Sequence, residues 1–331
     1  MRLAAFILVI HGALLTQRAW AASECRDCHG AQAEAHAKHP HAAALRRLNE
    51  HPLAPLFKTD KPFSRGPFYL GMDDGEAVGW DQGNSIELPV EWAFGAGRQA
   101  VTFVTRVNGE WYVEHALSYY PGLKGFALTP GHAEVQPRDL KEAVGVLYKI
   151  ADPQHGISGC FECHSTGQVR FDNEGVLLST AKPGVQCEAC HGPAADHIAR
   201  RARMGPGRMK AAAVNDFCGR CHRPPATDTA KVDWNYAWNV RHQPIYLSQS
   251  KCFVKSKGKL SCLTCHSPHA AMETAPAFYN AKCAGCHSKP AKVCATNCVD
   301  CHMPRVSPQT GLRFANHWIG TYGEGAKLRP R

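Results

Sequence analysis

The longest apolar run of the chain lies at its N-terminus. Ala4 to Leu15 are nearly all apolar, a basic residue precedes them, and small residues at Ala19 and Ala21 mark a cleavage site. A membrane-spanning helix needs about 20 apolar residues, so this run is too short to be an anchor. The pattern predicts a Sec signal peptide over residues 1–21 and an exported, periplasmic protein.

Alternating apolar and polar positions define a second pattern, over residues 101–120. Two such runs flank an Asn-Gly dipeptide at 108–109, which is preferred in two-residue type I′ hairpin turns. The register that follows places Val104 opposite Val113 and puts His115 on the same face as Val113. We therefore expect a small β-rich insert in this part of the chain.

Farther along, the pattern changes to short helical stretches broken by proline and glycine. Leu140–Ile150 and Glu188–Arg203 have the best helical pattern. Pro183-Gly184, Pro224-Pro225 and Pro304 interrupt the remainder. This pattern predicts short helices and loops.

The cysteine and histidine content sets this chain apart from ordinary globular sequences. Of 331 residues, 44% are apolar and 20% are charged, values that exclude wholesale disorder. Sixteen cysteines and 19 histidines exceed what core packing explains. These residues must be disulfides, metal ligands or cofactor anchors.

Fourteen of the cysteines fall into seven copies of Cys-x-x-Cys-His, numbered here as motifs 1 to 7. They are Cys25-Cys28-His29, Cys160-Cys163-His164, Cys187-Cys190-His191, Cys218-Cys221-His222, Cys262-Cys265-His266, Cys283-Cys286-His287 and Cys298-Cys301-His302. In this signature two thiols bond to the vinyl groups of one haem, and the histidine binds its iron. Zinc sites also use Cys-x-x-Cys pairs, but zinc does not require a histidine after every second cysteine. The sequence predicts seven covalently attached haem c groups.

The uneven spacing of the motifs indicates the domain organisation. Motif 1 begins at residue 25, whereas the other six lie within residues 160–302, where haem must form much of the core. The expected fold class is mainly α and irregular, built around packed haems, with the β-rich insert between haem 1 and haem 2. The expected segments are the signal peptide (1–21), a first haem segment (22–59), the insert (60–135), a six-haem domain (136–320) and a flexible tail (321–331).

The formal charge of +10 changes once the signal and the cofactors are taken into account. Removing Arg2 and Arg18 leaves +8, and two propionates on each of seven haems add about 14 negative charges. The holoprotein would carry about −6 when reduced and about +1 when oxidised. This near-balance argues against a nucleic-acid partner.

Histidines outside the motifs exceed the number of irons that need a second ligand. Without His11 of the signal and the seven motif histidines, eleven remain: His36, His39, His41, His51, His115, His132, His155, His197, His242, His269 and His317. Every haem could therefore be bis-histidine, a six-coordinate state that suits electron transfer. Methionine is the weaker alternative ligand.

Several local sequences carry a family resemblance. They are His41-Ala42, Cys187-Glu-Ala-Cys-His-Gly-Pro193 with His197, Cys262-Leu-Thr-Cys-His-Ser-Pro-His269, and Asn316-His317-Trp318-Ile319. Over most of residues 24–318 the chain resembles the exported multihaem cytochromes c related to the tetrahaem nitrifier cytochrome that accepts electrons from hydroxylamine oxidoreductase. The resemblance implies that His41, His197, His269 and His317 are distal haem ligands, usually to a haem of another motif.

Four further histidines are weaker candidates for distal ligands. His155 lies five residues before Cys160, beside the second haem. His115 and His132 belong to the insert, and a buried hydrogen-bond donor is the favoured role for His115 over a ligand. His242 is evenly balanced between a ligand and a surface residue.

Two cysteines, Cys252 and Cys294, lie outside the motifs. In an oxidising compartment a disulfide between them is the favoured interpretation. The alternative is a spare thiol at Cys294.

Two functions remain open from the sequence alone. The favoured one is a carrier that passes electrons along mostly bis-histidine haems to redox protein partners, with no catalytic side chain. The alternative is a reductase or oxidase of a small nitrogen or sulfur compound at one open-coordination haem. The chain has no Cys-x-x-Cys-Lys motif, which marks the active sites of several multihaem reductases, and this favours the carrier.

A third hypothesis is that the chain is a subunit of a membrane-associated redox complex and docks to it through the insert.

Overall fold

The computed structural model describes residues 22–150, 152, 156–206, 209–223, 229–287 and 297–331. Three sequence predictions lie outside the described residues: the signal peptide over 1–21, the candidate ligand His155, and Cys294 of the expected disulfide. Within the described residues, no helix has both the length and the apolar character needed to cross a membrane.

The described residues form short helices and short antiparallel strands. The α-helices are α1 (Ala22–Cys28), α2 (Gly30–Ala37), α3 (Leu140–Val144), α4 (Ser158–His164), α5 (Cys187–His191), α6 (Ala195–Arg200), α7 (Ala211–His222), α8 (Gln243–Ser248), α9 (Lys251–Lys255), α10 (Cys262–Cys265), α11 (Pro276–Ala284) and α12 (Cys298–His302). The strands are β1 (Leu45–Arg47), β2 (Phe63–Arg65), β3 (Phe68–Asp73), β4 (Glu76–Trp80), β5 (Ser85–Pro89), β6 (Trp92–Phe94), β7 (Val101–Asn108), β8 (Trp111–Tyr120), β9 (Gly125–Leu128), β10 (Gly145–Lys149), β11 (Ser165–Gly167), β12 (Phe171–Asp172), β13 (Gly175–Val176), β14 (Ala181–Pro183), β15 (Arg305–Val306) and β16 (Phe314–Ala315).

Two antiparallel sheets occupy residues 45–149, which we call the β region. The larger sheet has the strand order β1-β6-β7-β8-β10, with β9 also paired to β8. The smaller sheet has the order β2-β3-β4-β5. Because β1 and β10 lie outside residues 60–135, the sheets extend farther along the chain than the insert expected from the sequence.

The two sheets share an apolar core. Leu70 of β3 packs with Leu117 of β8 and with Leu140 of α3, which lies against both sheets. A neighbouring cluster joins Met72 of β3 to Phe103 of β7. This core consists of side chains alone, so hydrophobic burial within the polypeptide holds the β region together.

The opposite face of the larger sheet holds motif 2. Phe161, which directly follows the first cysteine of this motif, is fully buried against Trp92, Phe94 and Tyr112. The ring of Phe161 meets each of these three rings edge-on, a geometry that aromatic quadrupoles favour. Helix α4, and with it motif 2, is therefore fixed to the β region.

The hairpin register predicted from the sequence is wrong. The turn residues are at 109–110, and Thr105, rather than Val104, lies opposite Val113. The side-chain oxygen of Asn108 accepts hydrogen bonds from the N–H groups two and three residues later, which places the turn one residue farther along. The strands also contain two register shifts, which turn chemistry alone does not specify.

The helix predicted over Leu140–Ile150 is wrong in its second half. Helix α3 ends at Val144, and residues 145–149 pair with β8 as β10. A β-carbon on Gly145 would lie 2.3 Å from the carbonyl oxygen of Glu114, so the two strands approach closely only because this residue is glycine. Tertiary pairing thus overrides the local helical pattern.

The described part of residues 187–303, which we call the motif-rich region, consists of short helices and loops. The helix predicted over Glu188–Arg203 is divided into α5 and α6, because Gly192 adopts a φ of +77° and Pro193 follows it. A small apolar core joins Val240 and Tyr246 to residues near the C-terminus. All seven motifs lie on a helix or directly beside one.

Candidate haem-binding sites

Each motif presents its cysteines and its histidine from a short helix or a helix end. Cysteines three positions apart lie on one face of a helix, so their thiols point to the same side. All fourteen motif cysteines lie within the described residues, and none of them is buried. Accessible pairs of thiols on one helix face fit the two covalent bonds that one haem requires.

Four motif histidines each face a histidine from elsewhere in the chain. The ring centroids are 6.2 Å apart for His29 and His197, 6.0 Å for His222 and His41, 5.7 Å for His191 and His269, and 6.2 Å for His266 and His317. The four partners outside the motifs are the histidines that the family resemblance singled out.

The spacing of these ring pairs matches the space that one iron takes up. An iron bound by two imidazole nitrogens at about 2.0 Å each separates the ring centres by about 6 Å, because each centre lies about 1 Å beyond its nitrogen. The centroid spacing of each pair is therefore that of two imidazoles on one iron, and the thiols of the motif are close in sequence.

Hydrogen bonds to backbone carbonyls set the tautomer of two motif histidines and two facing histidines. The Nδ1–H groups donate to the carbonyl oxygens as follows: His164 to Ala44 (2.9 Å), His302 to Gly320 (2.8 Å), His197 to Ala202 (2.7 Å) and His317 to Ala315 (3.0 Å). A carbonyl oxygen only accepts, so Nδ1 carries the proton. Nε2 then keeps its lone pair for a metal ion.

Burial keeps several of these imidazoles in the neutral form. Burial lowers the pKa of His41 to about 4, and the nearby His39 and His222 add to this effect. Burial likewise lowers the pKa of His317 to about 4. The neutral imidazole is the form that binds iron, so both side chains are ready to ligate near pH 7.

Motifs 2, 4 and 5 approach one another through their thiols. The thiol of Cys163 interacts with that of Cys221, and the thiol of Cys262 with that of Cys218. These interactions lower the pKa of Cys218 and of Cys221 to about 7. Thiols of different motifs are thus in direct contact, an arrangement that fits closely spaced haems.

A half-buried acidic side chain lies beside motif 2. The Nε2 atom of His132 is 3.1 Å from a carboxylate oxygen of Glu114, and the hydroxyl of Tyr148 donates to the same oxygen. Partial desolvation by the surrounding protein, reinforced by the charge of Glu114, raises the pKa of Cys160 to about 11. His132 is therefore engaged with a carboxylate close to this motif.

His115 lies between the two sheets of the β region. Its Nε2 atom is 2.6 Å from the hydroxyl of Thr105, and Met72 and Val144 lie around it. Burial lowers the pKa of His115 to about 3. This environment is that of a buried hydrogen-bonding histidine, the alternative stated for this residue from the sequence.

His242 borders a cavity of about 230 Å³ between the turn at 130–134 and the loop after motif 4. Arg223, Arg241 and Glu134 also line this cavity, so the two arginines outnumber one carboxylate. Burial lowers the pKa of His242 to about 4. In the described part of the chain, no ring contact joins His242, His115 or His132 to a motif histidine.

Two groups that help to fix the sites were not singled out from the sequence. The ring nitrogens of His36 lie 3.2 Å and 3.0 Å from the carbonyl oxygens of Pro268 and Val185, next to His269 and motif 3. The side-chain oxygen of Asn215 accepts from the backbone N–H and the thiol of Cys262. The contacts of His36 are with backbone carbonyls, which every residue has, so the sequence does not reveal them. An asparagine within a helix, such as Asn215, gives little sign that it contacts a haem motif.

The disulfide expected between Cys252 and Cys294 stays a prediction. Cys252 is a half-buried free thiol on α9, and burial raises its pKa. Cys294 lies outside the described residues.

Two sequence comparisons relate parts of the chain to known cytochromes. The sequence profile of the family described as cytochrome c554 and c-prime matches residues 134–192, which contain motifs 2 and 3. The chain is also similar to a multihaem cytochrome. It is 26% identical over 176 residues to the multiheme cytochrome MtrA of Shewanella baltica (strain OS185), covering 46% of this chain and 47% of MtrA. The chain thus spans about half the length of this curated relative.

One solved structure shares the fold of this chain at low sequence identity. The outer cell wall cytochrome OcwA has a TM-score of 0.50 and 15% identity, and the match covers 89% of this chain and 78% of OcwA. The undecaheme cytochrome from the S-layer of Carboxydothermus ferrireducens has a TM-score of 0.49 and 15% identity, covering 92% of this chain and 52% of that chain.

Proposed function

We propose that this chain is an exported, periplasmic multihaem cytochrome c that holds seven covalent haems and transfers electrons along them. The observation that carries the proposal is the set of four histidine ring pairs, each spaced for one iron and each next to a pair of accessible thiols. Bound haem supplies one-electron chemistry at iron. The chain supplies the attachment, the axial ligands and the spacing.

The ring pairs assign a distal ligand to four motifs. In this proposal His197 serves motif 1, His269 serves motif 3, His41 serves motif 4 and His317 serves motif 5. Each distal histidine comes from a segment outside the motif that it serves, so ligation ties distant parts of the chain together. With both axial positions filled by protein, no position is left for a substrate at these four sites.

Motifs 2, 6 and 7 have no such assignment. In the described residues, His164, His287 and His302 are not paired with another imidazole. His132, His242 and His155 are the histidines proposed earlier that remain for these three irons. We also propose that the chain is related to the nitrifier cytochrome group. Its partners in this proposal are redox proteins that donate electrons to it and accept electrons from it.

Counting the haems tests the cofactor part of the proposal. Mass spectrometry of the denatured holoprotein should show seven haem additions, because all seven motifs are complete and accessible. Four or five additions would contradict the count.

Replacing the proposed distal ligands tests their assignment. His41→Ala, His197→Ala, His269→Ala and His317→Ala should each convert one low-spin haem to high spin in the electron paramagnetic resonance spectrum. His51→Gln is the matched control, because His51 bonds to the carbonyl oxygen of Gly95 in the β region and faces no motif histidine. Spectra that remain unchanged for the four alanine variants would overturn the assignment.

One observation favours the second candidate, a reductase or oxidase of a small nitrogen or sulfur compound. The cavity beside motif 4 is lined by Arg223, Arg241 and His242 and also by the carboxylate of Glu134, so its two arginines leave a net positive charge that suits a small anion. Addition of nitrite or hydroxylamine to the holoprotein distinguishes the two functions. A ligand-induced change in a high-spin haem band supports the enzyme. A wholly low-spin spectrum that neither compound changes supports the carrier.

A further inference from the structure

A run of unpaired lysines crosses α9 and the turn after it. Lys251, Lys255, Lys257 and Lys259 are all exposed. Residues 234–272 contain no aspartate or glutamate, so no acidic neighbour in sequence offsets these charges. This segment therefore concentrates positive charge on one part of the surface.

These lysines differ from several others in the described residues. Lys38, Lys58 and Lys149 each form an ion pair with a nearby carboxylate. None of the four lysines at 251–259 has such a partner among the residues that the structure describes. Charges left exposed and unpaired remain available to a binding partner.

Apolar side chains lie among the lysines. Val254, on α9, is 65% exposed, and Phe278, on α11, is 37% exposed. Lys282 lies 4.9 Å from the ring centroid of Phe278 and adds a fifth exposed cation. An apolar centre with a charged rim is the composition expected of a protein-binding surface.

The same segment lies beside motifs 5 and 6. Lys259 precedes Cys262 by three residues, and α10 contacts α11, so the two motifs adjoin. The thiol of Cys252, on the same short helix as Lys251 and Lys255, interacts electrostatically with Cys265 and with Cys286. Haems attached at motifs 5 and 6 would thus lie beneath this surface.

We propose that Lys251, Lys255, Lys257, Lys259 and Lys282, the lysine surface, form the docking site of an acidic redox protein that exchanges electrons with the haems of motifs 5 and 6. The inference rests on the proposed carrier function. One electron leaves the reduced cofactor of the partner, which is oxidised, and one ferric haem becomes ferrous. No bond is made or broken, and no proton is transferred.

The charge of the holoprotein supports this choice of partner. With seven haems the whole molecule carries between about −6 and about +1, so the lysine surface stands out against a neutral or negative remainder. Opposite charges on two redox proteins accelerate their encounter by about 10-fold to 1,000-fold at low salt, and salt removes the effect.

The test is stopped-flow reduction of the holoprotein by reduced flavodoxin, used as a probe because it is an acidic redox protein. The variant combines Lys251→Glu, Lys255→Glu, Lys257→Glu and Lys259→Glu. The matched control reverses four other exposed lysines, Lys61→Glu, Lys124→Glu, Lys141→Glu and Lys327→Glu, so the two proteins have equal net charge. Reduced methyl viologen, a small cation, serves as the second reductant.

We expect the rate constant for flavodoxin to fall at least tenfold in the 251–259 variant at 50 mM salt and to lose its dependence on salt. The control should change less than threefold, and both variants should retain seven haems. A quadruple Lys→Gln variant at the same positions, expected to show a smaller loss in the same direction, covers the case in which charge reversal prevents maturation.

Several results would overturn the docking site. An equal loss in the control would show that net charge alone matters, and shifted haem potentials with an unchanged flavodoxin rate would show that the lysines pair with propionates. Binding of the wild type, but not the variant, to phosphatidylglycerol vesicles at 150 mM salt would assign the surface to a membrane. Failure of methyl viologen to reduce the wild type would refute the carrier function itself, which keeps the two failures distinct.

Discussion

The β region and the motif-rich region bury their residues by different means. In the β region, aromatic and aliphatic side chains from both sheets form continuous clusters. In the motif-rich region, α5, α6, α9, α10, α11 and α12 contain no buried residue. Side chains alone therefore do not pack these helices, and covalent haems would supply the apolar surface that the helices lack.

Motif 2 lies at the boundary between the two modes of packing. It carries a haem-attachment sequence, yet its Phe161 is part of the core of the larger sheet. The carbonyl oxygen of Ala44, next to β1, accepts from Nδ1 of His164 in the same motif. The β region thus provides a rigid support for one motif and contributes directly to the orientation of its histidine.

The strongest test of this comparison is the protein made without haem. If haem forms the core of the motif-rich region, the apoprotein should lose protection over residues 187–303 and keep it over residues 45–149. Hydrogen exchange of apoprotein expressed without the haem-attachment machinery measures both regions in one experiment, with the holoprotein as the control. Equal protection of the two regions in the apoprotein would contradict the comparison.

A pair of phenylalanine variants tests the same difference by mutation. Phe161→Ala removes a fully buried ring and should lower the free energy of unfolding of the β region by about 3–5 kcal/mol. Phe278→Ala, in the motif-rich region, removes a ring that is already 37% exposed and should cost less than about 1 kcal/mol. Urea denaturation followed by circular dichroism measures both effects, and similar losses would mean that the two regions do not differ in this way.

The short helices expected in the motif-rich region are present, whereas the hairpin register expected in the β region is not, and the haem ligands stay a prediction. The haem motifs are local, since covalent attachment requires cysteines and a histidine at fixed spacing. The family resemblance also identified His41 and His317, and the structure brings each against a motif histidine. Which motif each one faces was not predictable, because His41 and His222 are far apart in sequence and meet only through the tertiary fold.

The errors in the β region have one physical origin. Strand register depends on contacts between distant segments, so a bulge in β7 or a bend in β8 leaves no local signal. The sequence pattern of Leu140–Ile150 predicts a helix. Its second half instead pairs with β8, where Gly145 allows the two strands to approach closely. The extent of the sheets beyond residues 60–135 was missed for the same reason.

The third prediction concerns the response of the β region to acid. The pKa of His115 is about 3 in the folded chain, against an ordinary value of 6.5, because burial disfavours its charged form. The unfolded chain binds a proton below pH 6.5, whereas the folded chain does not until about pH 3. The contribution of His115 to the free energy of unfolding is therefore fully present above pH 6.5. It declines as the pH falls toward 3, by up to about 1.4 kcal/mol per pH unit.

Replacement of His115 by a residue that does not titrate checks this assignment. His115→Gln keeps a polar group near Thr105 and should flatten the decline in stability of the β region between pH 6.5 and pH 4. Hydrogen exchange of the β7 and β8 amides at several pH values gives the measurement. A decline of the same slope in the variant would show that other groups, not His115, cause the acid sensitivity.

A modest effect is expected at a polar contact of the motif-rich region. The hydroxyl of Ser250, which is fully buried, donates to the carbonyl oxygen of His317 at 2.9 Å and accepts from the N–H of Ile319 at 2.8 Å. Ser250→Ala removes both bonds, while the N–H of Ile319 keeps its bond to the carbonyl oxygen of His317, so the variant should cost about 0.5–1.5 kcal/mol. Because these bonds hold the backbone directly after His317, the variant should also broaden the spectrum of the haem that His317 would ligate, and Ser250→Thr should restore it. A loss of stability without any spectral change, or with a change that threonine does not reverse, would show that Ser250 stabilises the fold without positioning the ligand.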